Sequence, residues 1–142
     1  MAFKFEGLEV WQLALEYVDL MYELAEKLPK SEDFNLKSQL TRAATSITLN
    51  IAEGSTGQSD AEQNRFLGMA IRSLIETVAC QRLILRRKYL PAGERLIENA
   101  DLSAQTLARK LHSFRKSLRT SDSQKIGEQS GQYLIEDENP LS

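Results

Sequence analysis

Apolar side chains recur at intervals of three and four residues along four segments of this 142-residue chain, and this periodicity constrains the fold more than any other feature. The first segment runs from about Leu8 to Leu28, where Pro29 disfavours helical backbone for the residue before it. No segment alternates apolar and polar residues in the manner of a half-buried strand. The sequence therefore predicts an all-α protein.

The ends of the second and third helices are marked by residue types that favour caps. The second helix is expected to begin after Asn35, a good N-cap residue, and to stop before Gly54, because glycine adopts left-handed backbone without steric cost. Ser59 and Glu62 have the spacing of a capping box, so the third helix is expected to open at Ser59 and to run to about Arg87.

The fourth helix is expected to have Pro91 in its first turn, where the missing N–H costs nothing. Its apolar heptads end at Leu118. Short connections between long helices predict an antiparallel up-down-up-down four-helix bundle over residues 1–118. Residues 119–142 are polar and acidic, and we expect them to form a flexible tail.

The third helix has two adjacent apolar stripes, one of small and one of large residues. Two such stripes exceed what one antiparallel partner helix needs, so part of the helix is expected to face another subunit. The small stripe comprises Ala70, Ser73, Thr77 and Cys80, and the large one Leu67, Ile71, Leu74, Val78 and Leu85.

The net charge of −2 conceals an uneven distribution along the chain. Residues 1–33 contain eight acidic residues against three basic ones, whereas residues 59–118 contain eleven basic residues against six acidic ones. The outward stripe of the first helix has no basic residue and comprises Glu9, Gln12, Glu16, Asp19, Glu23 and Glu26. The sequence thus predicts an acidic first helix and a basic surface on the later helices.

Membrane insertion and secretion are not expected. No run approaches the ~20 apolar residues that span a bilayer, and the first residues lack the pattern of a signal peptide. The single cysteine, Cys80, cannot form a disulfide within the chain and is expected to be a small buried hydrophobe. These features predict a cytoplasmic protein.

No set of residues in the sequence is typical of a catalytic or metal site. His112 is the only histidine, and its neighbours Arg109, Lys110 and Lys116 offer neither a metal ligand nor a carboxylate partner, so we interpret it as a surface residue. No glycine-rich loop follows a strand. The sequence predicts a protein that is not an enzyme and has no metal, cofactor or small-molecule substrate.

Four polar residues, Arg42, Ser46, Asn50 and Glu53, lie on one predicted stripe of the second helix. Glu53 sits at the helix C-terminus, where a negative charge opposes the macrodipole, so a compensating partner is expected in Arg65 or in the free N–H groups of the third helix. One interpretation is a polar network that fixes the turn or a subunit contact. The other is contact with a ligand or nucleic acid.

Basic residues recur at or near heptad spacing on the third and fourth helices. Such stripes are typical of a helical surface that contacts phosphates. The alternative is a solvated face, or pairing with the acidic first helix across a subunit interface, and the pI near 5.5 favours it. The residues are Arg65, Arg72, Arg82, Arg86, Arg87, Lys88, Arg109, Lys110, His112, Arg115 and Lys116.

Three segments of the sequence resemble a known family. Residues 5–12 (FEGLEVWQ), 39–47 (QLTRAATSI) and 50–54 (NIAEG) resemble the four helix bundle proteins encoded by intervening sequences in bacterial 23S rRNA genes. The resemblance covers about residues 3–118 and extends to the accessory variability determinant of diversity-generating retroelements. Two departures are Asn35-Leu36-Lys37, where the family tends to have Gly-Leu-Thr, and the acidic tail.

The resemblance implies a four-helix protomer assembled into a homopentameric ring. For the retroelement relatives it also implies a basic surface that binds nucleic acid and a reverse transcriptase. We therefore expect a non-enzymatic oligomeric scaffold whose basic surface contacts RNA, DNA or a nucleic-acid enzyme. The alternative is a purely protein–protein assembly in which acidic and basic stripes pair between subunits.

Overall fold

A computed structural model describes residues 3–57 and 59–130, with side chains as far as Arg119, and within these residues the chain has four α-helices and no strand. The helices are α1 (Glu9–Glu26), α2 (Leu36–Gly54), α3 (Asp60–Arg86) and α4 (Arg95–Ser130). Short 3-10 helices, Lys4–Gly7 and Lys30–Glu32, precede α1 and α2. The all-α prediction is confirmed.

The helices enclose one core, because α1 packs against α2 and α4, while α3 packs against α2 and α4. Its largest fully buried side chains come from all four helices. They are Tyr17, Met21, Leu24, Leu40, Ile47, Ile51, Leu67, Leu74, Gln81, Ile84, Leu107 and Leu111.

In the described part of the chain, no helix combines the length and the apolar character needed to cross a bilayer.

Most residues of the two apolar stripes of α3 are buried inside the single chain. Leu67 and Ile71 from the large stripe and Ala70 and Cys80 from the small one are each at most 4% exposed. These four residues are covered within one chain, because α3 packs against α2 and α4, whereas Ser73, Val78 and Leu85 of the same stripes are half-buried. That part of α3 faces another subunit stays a prediction. Cys80 is buried as predicted, and burial raises the pKa of its thiol.

Gly54 lies in the last turn of α2 and does not have the left-handed backbone that the sequence suggested. Among the described glycines a positive φ belongs to Gly57, at 90°. A Cβ added at Gly54 would lie 2.8 Å from the Cβ of Phe66 and 3.4 Å from the carbonyl oxygen of Gln63. Glycine is thus needed here because α2 and α3 approach closely, and Gly57 makes the turn.

The start of α2 after Asn35 is as predicted, but the Asn35 side chain does not cap the helix. The carboxylate of Glu32 does: its Oε1 accepts hydrogen bonds from the Leu36 backbone N–H (3.3 Å) and from Asn35 Nδ2 (2.9 Å). Its Oε2 accepts one from the Tyr89 hydroxyl (2.6 Å). This buried carboxylate ties the loop before α2 to the loop after α3.

The N-terminus of α3 has half of the predicted capping box. Ser59 Oγ accepts a hydrogen bond from the Glu62 backbone N–H at 3.0 Å, as expected. The Glu62 carboxylate does not return to Ser59, because it binds the guanidinium of Arg65.

The fourth helix begins and ends later than its sequence predicts. Pro91 lies in a turn closed by a 3.0 Å hydrogen bond from the Glu94 N–H to the Pro91 carbonyl, and the helix starts at Arg95. It continues past Leu118 to Ser130. Residues 119–130 of the predicted flexible tail are therefore helical, and residues 131–142 lie outside the described residues.

Candidate functional site

A groove of about 580 Å³ runs between α3 and α4 on the outer surface of the protomer. Its floor is apolar, and its polar side chains are three arginines and the histidine. The lining residues are Arg65, Gly68, Met69, Ile71, Arg72, Ile75, His112 and Arg115, and no acidic residue is among them. Four of the eleven basic-surface residues predicted from the sequence therefore meet in one place.

Arg115 projects from α4 across Gly68 of α3. A Cβ at Gly68 would lie 3.1 Å from the guanidinium carbon, so the missing side chain makes room for this arginine. Its Nε donates a 2.7 Å hydrogen bond to Asn64 Oδ1, whereas its two terminal amino groups bond to no described residue. Burial, followed by the charge of Arg119, holds the pKa of Arg115 below its ordinary value.

His112 is half-buried in this groove rather than on the open surface that its sequence neighbours suggested. Both ring nitrogens are shielded from water and have no hydrogen-bond partner among the described residues. Its pKa is lowered, first by burial and then by the charges of Arg115 and Arg119. Both effects favour the neutral imidazole, whose N–H has no acceptor among the described residues.

The two arginines that α3 contributes are held differently. Arg65 binds Glu62 one turn away, lies over the Phe66 ring at 4.5 Å, and donates to the sulfur of Met69 at 3.8 Å. Its ion pair with Glu62 lowers the pKa of that carboxyl. Arg72 is exposed and forms no ion pair with a described residue. A ligand in the groove would therefore contact an Arg72 that has no ion pair with a described residue and an Arg65 that is already paired with Glu62.

The other predicted basic residues lie outside the groove and do not form a single face with it. Arg82 pairs with Asp101 at 2.8 Å, and Lys110 pairs with Glu9 of α1 at 3.3 Å. The remaining ones are exposed: Arg86, Arg87 and Lys88 at the end of α3, and Arg109 and Lys116 on α4. The basic residues predicted from the sequence therefore do not form one surface: four of them line the groove, and the others lie elsewhere on the protein surface.

The four residues of the predicted polar motif on α2 do not form a single network in the structure. Asn50 Nδ2 donates to the backbone carbonyl (2.9 Å) and Oγ (3.0 Å) of Ser46, whose Oγ accepts a 2.9 Å bond from Ser73 of α3. Arg42 bonds to Ser38 at 3.3 Å instead. Only the Ser46–Asn50 part therefore contributes to the contact between α2 and α3.

Glu53, the last member of that motif, is exposed and has no hydrogen bond or ion pair with any described residue. The expected compensation of its charge is therefore wrong, since Arg65 is turned toward Glu62. The polar contact near the turn comes from two residues that the sequence did not single out. Gln63 Nε2 donates to Ser55 Oγ at 3.1 Å, and Ser55 Oγ donates to the Ile51 carbonyl at 3.1 Å.

The outward face of α1 has two ion pairs within the chain, Lys110 with Glu9 and Lys37 with Glu26. The three acidic residues between these, Glu16, Asp19 and Glu23, are exposed and have no partner among the described residues. Beside this face, Tyr22 and Leu49 line a second groove of about 410 Å³, which Arg42 and Ser46 also border. This surface combines unpaired acids with exposed apolar side chains.

A polar cluster that the sequence did not reveal lies in the core. Tyr17 is fully buried; its hydroxyl is 2.7 Å from Thr77 Oγ1 and accepts a 2.7 Å hydrogen bond from Gln81 Nε2. Burial raises the pKa of Tyr17 to about 12. Thr77 had been expected in an apolar stripe. The only sequence signal for the two α3 residues is that Thr77 and Gln81 are four positions apart, which places them on the same face of the helix.

Nothing in the described part of the chain resembles a metal site, since no three histidine, cysteine or carboxylate side chains cluster there.

A family model described as "23S rRNA-intervening sequence protein" matches residues 6–113, which cover α1, α2, α3 and half of α4. No curated protein matches the chain.

Proposed function

The chain belongs to the 23S rRNA-intervening sequence protein family, and from this premise we propose that it is a non-enzymatic helical scaffold that binds nucleic acid in the α3–α4 groove. The observation that carries the proposal is the gathering of Arg65, Arg72, His112 and Arg115 around one apolar floor without an acidic residue. Phosphate oxygens are the acceptors that such donors favour.

The shape and the hydrogen bonding of the groove support this assignment. Among the described residues, the two terminal amino groups of Arg115 have no hydrogen-bond partner and Arg72 has no ion pair, so both arginines have donors available for phosphate oxygens. The apolar floor, with Met69 and Ile75, would accept the face of an unstacked base. A reverse transcriptase as a further partner stays a prediction from the family resemblance.

We further propose an antiparallel topology and a homopentameric assembly in the cytoplasm. The contacts between α2 and α3 support the topology, because Ser55 meets Gln63 and Ser46 meets Ser73, so residue numbers rise on one helix as they fall on the other. Assembly would repeat the groove on every protomer, and linked weak sites gain avidity on one nucleic-acid chain.

The test compares charge reversal inside and outside the groove. In fluorescence anisotropy with labelled RNA and DNA, the variant Arg72→Glu/Arg115→Glu should lose most affinity. The variant Lys27→Glu/Lys30→Glu changes the net charge equally at exposed positions outside the groove and should stay near wild type. If one groove neutralises three phosphates of a single-stranded probe, wild-type affinity should fall about 20-fold between about 50 and about 200 mM salt.

Three results would speak against the proposal. One is the absence of RNA or DNA retention by wild-type protein at about 50 mM salt. The others are equal losses in the two double variants and an affinity that salt leaves unchanged. Circular dichroism melts of each variant show whether the fold is preserved.

A second candidate function, protein–protein assembly alone, is favoured by the unpaired acidic residues of α1. If they pair with basic residues of a neighbouring subunit, Asp19→Lys/Glu23→Lys should dissociate the assembly, while Glu76→Lys/Glu98→Lys should not. Sedimentation equilibrium measures this against the expected five times 16.1 kDa. Dissociation without any detectable nucleic-acid binding would support this candidate over the first.

A further inference from the structure

We propose that His112 is a proton-linked phosphate contact, neutral in the empty groove and protonated when a nucleic-acid phosphate binds beside it. This inference rests on the proposed function and adds to it a regulation by pH. It follows from the position of the imidazole among cationic side chains and from the unbonded state of its ring nitrogens.

The position of the ring leaves its hydrogen-bonding capacity unused. Both nitrogens of His112 are inaccessible to water and have no described partner, although a neutral imidazole has one donor and one acceptor. A buried polar group without a partner is destabilising. A phosphate oxygen in the groove would give the ring N–H an acceptor once the side chain rotates to expose it.

The charges that face His112 come from both helices that form the groove. From α3 these are Arg65 and Arg72, and from α4 they are Arg115 and Arg119. Two acidic residues of α3 lie close in sequence to this lining: Glu76, which follows Ile75 and is exposed, and Glu62, which is bonded to Arg65. No acidic residue is among the described side chains that line the groove, so this lining does not favour the imidazolium.

A bound phosphate reverses this situation. Its negative charge offsets the fields of Arg115 and Arg119, the two charges that lower the pKa of His112, and it accepts a hydrogen bond from the protonated ring. The pKa of His112 is therefore higher in the complex than in the free protein. Between these two values the complex holds one more proton per groove, so affinity increases as pH falls and levels off below the free-state pKa.

The size of the effect follows from the pKa difference between the two states. Each unit of difference corresponds to about a tenfold change in affinity. The change should fall between about pH 8 and about pH 5, the range in which histidine titrates. Arginine is charged throughout this range, so Arg65, Arg72 and Arg115 contribute binding that does not depend on pH.

The experiment measures the affinity of the full chain for oligouridylate and oligothymidylate across this pH range, at constant salt and with a pH-insensitive dye. These probes have bases that do not titrate there. Wild-type affinity should rise about tenfold per unit of pKa difference as pH falls. Calorimetry in buffers of different ionisation enthalpy should show proton uptake of up to about one per groove near the midpoint.

Two substitutions at His112 represent the neutral and the charged state of its side chain. His112→Gln cannot gain a proton, so its affinity should equal the wild-type value at high pH and stay there. His112→Arg is charged throughout, so its affinity should stay near the wild-type value at low pH. Arg72→Gln is the matched control in the groove: it should bind more weakly at every pH but keep the wild-type pH dependence.

The outcomes separate the inference from the function on which it rests. If the oligonucleotides bind and His112→Gln keeps the wild-type pH dependence, the proton link is wrong while the binding proposal stands. If wild-type affinity is the same at all pH values, the link is likewise wrong. If nothing binds at low salt at any pH, both the groove as a nucleic-acid site and the link are wrong.

Discussion

Two polar clusters on α3, one in the core and one in the α3–α4 groove, differ in how far the chain itself satisfies them. In the core, Tyr17, Thr77 and Gln81 are uncharged and bond to one another, and Gln81 Oε1 is the one core atom among the described side chains left without a partner. In the groove, arginines gather around His112 with no acidic residue.

The difference indicates what each cluster contributes. A buried polar group that is bonded inside the protein fixes the packing of the helices that share it, since any shift would leave it unpaired. The groove instead keeps like charges close together, which costs stability in the free protein. Such an arrangement is favourable once an anion is bound. The core cluster therefore specifies the fold, and the groove is suited to a ligand.

The largest expected effect comes from breaking the core cluster. Tyr17→Phe removes the hydroxyl that Gln81 and Thr77 contact and should lower the free energy of unfolding by about 1–3 kcal/mol. Tyr22→Phe is the matched control: that hydroxyl bonds Thr45 on a side chain 46% exposed, so about 1 kcal/mol or less is expected. Urea denaturation measures both, and equal losses would contradict the comparison.

Effects of opposite sign are expected from two helical glycines, one at the contact between α2 and α3 and one beside the groove. Gly54→Ala puts a Cβ against Phe66 and should destabilise the protein by about 1–3 kcal/mol. Gly68→Ala displaces only the flexible end of Arg115, so the gain in helix propensity should stabilise the protein by up to about 1 kcal/mol.

The glycine substitution that costs more stability should cost less nucleic-acid affinity. Gly68→Ala should weaken binding severalfold, because Arg115 is moved, whereas Gly54→Ala should leave it unchanged at a temperature where the variant is folded. Thermal melts and anisotropy titrations on the same samples provide the check. A loss of stability in Gly68→Ala would show that Arg115 is held rigidly.

The smallest expected effect is a pH dependence of stability that comes from the groove. The pKa of His112 is lowered in the folded state, so the unfolded chain binds more protons and stability declines as pH falls through about 6.5, the unfolded value. His112→Gln should make this part of the urea-midpoint profile flatter. Tyr17, with a pKa of about 12, should leave the same range unaffected. A profile that His112→Gln leaves unchanged would mean that the histidine titrates normally.

The features predicted correctly from the sequence are those that depend on neighbours along the chain. The helical periodicity, the start of α2 after Asn35, the Ser59 cap and the burial of Cys80 need only the residues within a turn or two. The family resemblance belongs to this class as well, because it depends on short contiguous segments, and the match over residues 6–113 confirms it.

The errors concern residues whose partners lie on another element. Glu32 was given no structural role, although Tyr89 from the loop after α3 bonds it in a buried position. Gly54 was assigned to the position that ends the second helix with left-handed backbone, although its reason is the approach of Phe66. Glu53 was expected to have a partner, and it has none among the described residues.

The sequence by itself therefore determined that this chain forms long amphipathic helices with an acidic first helix and basic later ones. Only the tertiary structure decided which of the basic residues act together. Arg65 and Arg72 meet His112 and Arg115 because α3 packs beside α4, while Arg82 and Lys110 are taken up by Asp101 and Glu9. Helix formation is governed by local spacing, whereas the pairing or isolation of a charge is set by side chains from distant parts of the chain.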